Sequence, residues 1–187
     1  MNEQNQLRPT LWRTCRTMAC ESRLRLLWVL FDERELSVCE LAYRTGMGAA
    51  QASVQLRALN ARGLISCRRE KMRVIYRAEA NDAVDSASQL LAGLRMCHDR
   101  NMRFSTVIRQ TTAFTHQRRI ELVRILKEGP MDSEQLLQAS GMSSSALSLH
   151  LRKLMDRGII EKVDGKYSIF LPANQLGKVL LQVALFR

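Results

Sequence analysis

Apolar residues recur at helical spacing in several parts of this chain. Leu24, Leu27, Trp28 and Phe31 fall at i, i+3, i+4 and i+7, the stripe of a helix packed on a core. Ala83, Ala87, Leu90, Leu91, Leu94 and Cys97 form a second stripe, and Phe104, Val107, Ile108 and Thr111 a third. Residues 81–116 are therefore predicted to be two packed helices, without the Gly/Ser or Pro tract of a flexible linker. The closing segment QLGKVLLQVALFR carries Leu176, Val179, Leu180 and Val183 on one side and Leu181, Leu185 and Phe186 beyond. A helix apolar over so much of its girth must be covered. Two stretches instead alternate in the manner of strands. LISCRREKMRVIYRA and IIEKVDGKYSIFLPA each give two short β-prone runs about a tight turn, predicted at Glu70-Lys71 and Asp164-Gly165. The second is the stronger signal, because both central residues of the favoured hairpin turn need positive φ.

Much of this pattern occurs twice. ASVQLRALNARGLI (52–65) and LSLHLRKLMDRGII (147–160) share Ser, Leu, Arg, Leu, Arg, Gly and Ile at positions offset by 95. Upstream, Ser37 with Glu40 and Asp132 with Gln135 have the spacing of a capping box, marking a helix start at the same place in each copy. Gly46 and Gly141 end those short helices, and a second helix begins at Gly48 or Ser143 and stops at Gly63 or Gly158. Further upstream RLRLLWVL (23–30) matches RIELVRIL (119–126), now offset by 96. Helix, helix-turn-helix and β-hairpin make a winged helix. The expected fold is mainly α with small β-hairpin wings: domain 1 over 1–80, linker or dimerisation-type helices over 81–113, and domain 2 with its C-terminal helix over 114–187.

Composition bounds the function. The 187 residues are 46% hydrophobic and 25% charged, the balance of a globular protein, and carry a net charge of +11 with far more Arg than Lys. Split after Arg95, the halves hold 15 basic against 10 acidic residues and 14 against 8, so each is basic in its own right. That suits a polyanionic partner gripped by planar guanidinium groups. No apolar run approaches a membrane span, MNEQNQLRPT lacks the apolar core of a signal peptide, and the five cysteines contain no C-x-x-C pair. These features place the protein in the cytoplasm with free thiols. An enzyme is not expected: His98, His116 and His150 stand alone, without a phosphate-cradling Gly loop or a metal-ligand pair.

The order and spacing of ACESRLRLLWVL, ELSVCELAYRTGM and the hairpin that follows resemble the arsenic-repressor-like (ArsR) winged-helix transcription regulators. The resemblance is close over 18–78 and looser over 114–171. It implies a DNA-binding repressor in which the second helix of each pair, 49–59 and 143–154, enters the major groove while the wing touches the flanking backbone. Such relatives usually dimerise through terminal helices, so that two recognition helices meet half-sites roughly 34 Å apart. Fusing two copies makes the second binding event intramolecular, and the closing helix is expected to be covered by its counterpart in the first copy as an internal pseudo-dimer. A homodimer through terminal helices is the alternative.

The candidate contacts to double-stranded DNA follow by position. The first recognition helix offers Gln51, Ser53, Gln55 and Arg57, and the second Ser143, Ser144, Ser145, Ser148, His150 and Arg152. No Arg sits early in either helix, where the bidentate contact to guanine is expected. His150 matches a His common in the family, which implies a polar contact near the DNA backbone. Val54 and Leu149 occupy positions that are polar or basic in many relatives. Contact with a thymine methyl and completion of the core are both open to them, and the second is preferred. Wing one crowds Arg68, Arg69, Lys71, Arg73 and Arg77 together, whereas wing two has only Lys162 and Lys166 and should grip more weakly. Tandem winged helices also serve as protein-docking modules, a use that apolar Val54 and Leu149 would suit and the charge argues against. Metal-sensing relatives carry Cys-x-Cys where ELSVCEL has Ser37 in place of the first Cys, and the second copy has Glu134 at the position of Cys39. Cys15 and Cys20 could complete a thiolate site with Cys39. The expectation is instead no metal and no cofactor, with Cys39 a small core hydrophobe beside Val38 and Leu41.

Overall fold

The protein is described here from a computed structural model covering residues 10–186. The first copy comprises α1 (Leu11–Met18), α2 (Glu21–Asp32), β1 (Leu36–Ser37), α3 (Val38–Thr45), α4 (Ala49–Asn60), β2 (Ser66–Glu70), β3 (Arg73–Arg77) and α5 (Ala87–Asp99). The second comprises α6 (Phe104–Ala113), α7 (Gln117–Ile125), α8 (Ser133–Ser140), α9 (Ser144–Asp156), β4 (Ile160–Val163), β5 (Lys166–Ile169) and α10 (Gln175–Leu185). These are two tandem winged helices. Among the described residues no helix is long and apolar enough to cross a membrane.

Local chemistry sets the helix ends. Ser37 Oγ accepts from Glu40 N at 3.3 Å while the Glu40 carboxylate accepts from Ser37 N at 2.8 Å, and Asp132 and Gln135 exchange the same bonds at 2.9 and 3.0 Å. Each box satisfies helix-start N–H groups that lack an intrahelical partner. Gly46 and Gly141 leave these helices with φ of 67° and 60°. The first wing is antiparallel with Glu70 opposite Arg73, so its turn is Lys71-Met72 and not Glu70-Lys71. Only Lys71 of that pair has positive φ, whereas Asp164 and Gly165 both do. The strand β1 adds a third member to the first sheet, against β3. In the second copy this shrinks to a single bridge between Met131 and Tyr167.

A pair of arginines offset by 96, like the surrounding sequence, fixes the chain reversal between the first two helices of each copy. Arg23 Nε donates to the Thr17 carbonyl at 2.6 Å and Nη2 to Arg16 at 3.3 Å. Arg119 makes the equivalent bonds to Ala113 at 2.6 Å and Thr112 at 2.9 Å, and adds Thr115 Oγ1 at 2.7 Å. The last carbonyls of a helix lack amide partners and carry partial negative charge, which a guanidinium fork satisfies twice over.

The two copies share one continuous core. Helix α5 lies along α10, and α6 lies against α1. Leu90 and Leu94 on α5 and Leu176 and Leu180 on α10 are all fully buried. Burying each leucine is worth about 1.5–3 kcal/mol, so separating the copies would expose several such side chains at once. Close approach at this seam depends on Gly93, where a Cβ would sit 3.2 Å from Leu176 Cδ1. The closing helix is thus covered by α5, as its apolar girth requires; only Phe186 at its end stays out, 78% exposed.

Candidate nucleic-acid interface

The second helix of each pair, α4 or α9, turns one face inward and one outward. Ala52, Leu56 and Leu59 of α4 and Leu147, Leu151 and Leu154 of α9 are buried. On the outward face α4 exposes Gln51, Val54 and Arg57, with Ser53 half-buried, and α9 exposes Ser144, Ser145, Ser148, Leu149 and Arg152. Val54 is 53% and Leu149 40% exposed, which overturns the preference for a core role. Their helical offset from Leu56 and Leu151 points them away from the leucine stripe, a distinction the residue type alone does not carry. Ser143 is the N-cap of α9, its Oγ accepting from Ala146 N at 3.4 Å, so its hydroxyl already has structural work.

Gln55 and His150 hold equivalent positions and both turn inward. Gln55 Oε1 accepts from Arg23 Nη1 at 2.7 Å. His150 is buried, its ring centroid 4.6 Å from that of His116, the N-cap of α7, and its Nδ1 has no hydrogen-bond partner among the described residues. Burial holds both imidazoles below their ordinary range, helped by Arg119, Lys153 and Arg118, with Arg16 also acting on His116 and His116 itself on His150. The unfolded chain therefore binds more protons than the folded one as pH falls through the free-imidazole value of about 6.5, and stability is lost in that direction. Unfolding in urea should show a lower midpoint at about pH 5.5 than at about pH 7.5. His150→Gln, which installs the residue type of Gln55, should flatten that difference; an unchanged pH dependence would contradict it. Glu35 and Glu40, held below the usual carboxylate range by hydrogen bonds from Arg68 and Arg77 and from Ser37, add their loss only at lower pH.

The wings differ in how many cations they leave available. Arg68 is bound by Glu35 and Glu70, and Arg77 Nε reaches Glu35 at 2.9 Å. Arg69, Lys71 and Arg73 are exposed and hydrogen-bond to no carboxylate among the described residues. Strand register puts Arg68, Arg73 and Arg77 on one face of the hairpin and Arg69 on the other, so the cluster brackets the turn. In the second wing Lys162 lies 4.9 Å from the centroid of the Tyr167 ring and Lys166 is exposed. Sequence reasoning missed Lys153 and Arg16, exposed cations that act together on His116 from α9 and from α1 of the other copy. Arg16 is brought there by the packing across the seam, which no local motif announces.

The family comparison bears directly on this geometry. The chain matches the bacterial regulatory protein, arsR family, twice, over residues 20–66 and 116–162, just over half its length. It belongs to the arsR family. No curated protein matches it. Each arsR-family segment runs from the first helix of the winged helix through the recognition helix into the first wing strand, so the protein is a tandem DNA-binding regulator. The cations of the first wing, Lys166 of the second and the four seam helices lie outside the matched segments.

The thiols of this arsR-family chain are dispersed by environment. Cys15 is fully buried, with its thiol pushed far up by burial, and Cys20 is half-buried. Cys39 is exposed, not the core hydrophobe the sequence suggested, because α3 turns Leu41 and Ala42 inward instead. Among the described residues no three His, Cys, Asp or Glu side chains are grouped to hold a metal ion.

Proposed function

We propose that the protein is a transcriptional repressor that holds duplex DNA in the cytoplasm as an internal pseudo-dimer, one recognition helix to each half-site. The observation that carries this reading is the pairing of α5 with α10 and of α1 with α6, which joins the terminal helices of two winged helices within one chain. In this reading 81–113, between domains 1–80 and 114–187, supply the dimerisation helices: α5 closes the first copy and α6 opens the second. Gln51, Ser53, Arg57, Ser144, Ser145, Ser148 and Arg152 face base edges, and Val54 and Leu149 meet thymine methyl groups. Arg69, Lys71, Arg73, Lys162, Lys166 and Lys153 neutralise phosphates.

Two measurements test it together. With about four to eight phosphates neutralised, log K should fall against log salt with a slope of roughly −4 to −7. Mass measurement in dilute solution should find a monomer that binds. Affinity that barely responds to salt would exclude the DNA mode, and a dimer whose dissociation abolishes binding would exclude the internal pair in favour of a homodimer. The exposure of Val54, Leu149 and Tyr43 favours a second reading, protein docking through the recognition helices. Salt-insensitive behaviour on DNA would select it.

A further inference from the structure

The seam contains two junctions related by the repeat, and only one of them is filled. Where α2, α5 and α6 meet, Trp28 packs against His98 at 5.7 Å and Phe104 at 5.4 Å between ring centroids, with Phe31 beside them. Where α7, α10 and α1 meet, Arg124 stands at the position of Trp28, offset by 96. A cavity of about 580 Å³ lies there, within the range of small-molecule sites. Trp12, Ile120 and Val183 give it an apolar body, and Gln117, Gln182 and Arg124 a polar side. Arg124 Nε is tied to the Ala184 carbonyl at 2.7 Å, so the guanidinium is held in place while its terminal nitrogens have no acceptor among the described residues. Asp85 on the rim already has a partner of its own.

We propose that this cavity is an effector site for a small amphipathic anion, with its apolar body against Trp12, Ile120 and Val183 and its carboxylate on Arg124. A fixed guanidinium beside an apolar wall selects that chemistry, because it offers a planar charge-assisted donor to a carboxylate whose hydrocarbon body can lie on the neighbouring apolar side chains. The regulatory part rests on the repressor reading above. The walls come from both copies, α1 and α5 on one side and α7 and α10 on the other, and α7 packs in turn on α8 and α9. A ligand that favours one spacing of these walls shifts the relative placement of the two recognition helices, and so the affinity for DNA.

The probe is decanoate, with decanol as its uncharged counterpart, titrated calorimetrically into the full-length protein without DNA. One equivalent of decanoate should bind. Arg124→Met should weaken decanoate about tenfold while leaving decanol unchanged, the loss of one charge-assisted pair. Val183→Trp and, from the opposite wall, Gln89→Trp should each abolish binding of both, with retained folding checked by circular dichroism. Decanoate should loosen the parent protein from duplex DNA and leave the Trp variants unaffected. No binding by the parent, or binding that ignores both Trp substitutions, overturns the site. Binding with unchanged DNA affinity overturns its regulatory role. A protein that fails to bind DNA even without decanoate contradicts the repressor reading instead, and the calorimetry still decides the cavity.

Discussion

Replacing Arg69, Lys71 and Arg73 together by alanine should weaken binding to duplex DNA about a hundredfold at moderate salt and reduce the salt slope by roughly two to three units. Each of these cations is exposed and hydrogen-bonds to no carboxylate among the described residues, so no such bond has to be broken for it to meet a phosphate, although Arg73 also acts on Glu40 through space. Arg68 is not equivalent. It is already shared between Glu35 and Glu70, and a phosphate would have to displace them; Arg68→Ala should cost well under tenfold. Lys162→Ala with Lys166→Ala should likewise cost less than about tenfold, since two contacts at most are lost. Filter binding or fluorescence anisotropy across a salt series reads both affinity and slope. Equal losses from the two wings would show that the first wing does not carry the larger share.

The second large effect concerns folding. Arg119→Met should destabilise the protein by about 2–4 kcal/mol in urea unfolding, because it takes the side-chain donor from the buried carbonyl of Ala113 and from the half-buried Thr115 hydroxyl, and leaves the Thr112 carbonyl with only its bond from Thr115 Oγ1. Arg23→Met breaks equivalent bonds but should cost less, because Arg23 is only half-buried and water can replace part of what it supplied. The guanidinium of Arg119 is itself eased below its ordinary pKa, by burial first and then by Arg157 and Arg16, yet it stays charged at any working pH. Losses of equal size in the two variants would contradict the importance of burial here.

The parts of the fold legible in the sequence were those written in local chemistry. Ser37–Glu40 and Asp132–Gln135 announced their helices, Asp164-Gly165 announced its turn, and the offset of 95 announced that the unit occurs twice. What escaped was set by partners distant in the chain. Val54 and Leu149 look like core residues by type, and only their phase relative to the buried leucines turns them outward. His150 looked like a contact to the DNA backbone, and its packing on His116 puts it inside. Arg68 looked equivalent to the other cations of its wing, but Glu35, over thirty residues away, is bound to it. The role of Arg16 depends on α1 lying against α6, a pairing that periodicity can require but cannot identify.

The shared core of the two copies has a consequence for the DNA sequence such a protein can select. A homodimer offers two identical faces and reads an inverted repeat equally well in either direction. Here the faces have diverged: Ala50 and Gln51 on α4 stand where Ser145 and Ala146 stand on α9, and Val54 where Leu149 stands, while Ser53 and Arg57 keep their counterparts in Ser148 and Arg152. The wings diverge further, one rich in cations and one poor. The molecule has a front and a back, so if it binds as the proposed internal pair its operator need not be a palindrome, and a site with unlike halves would be bound in one orientation only.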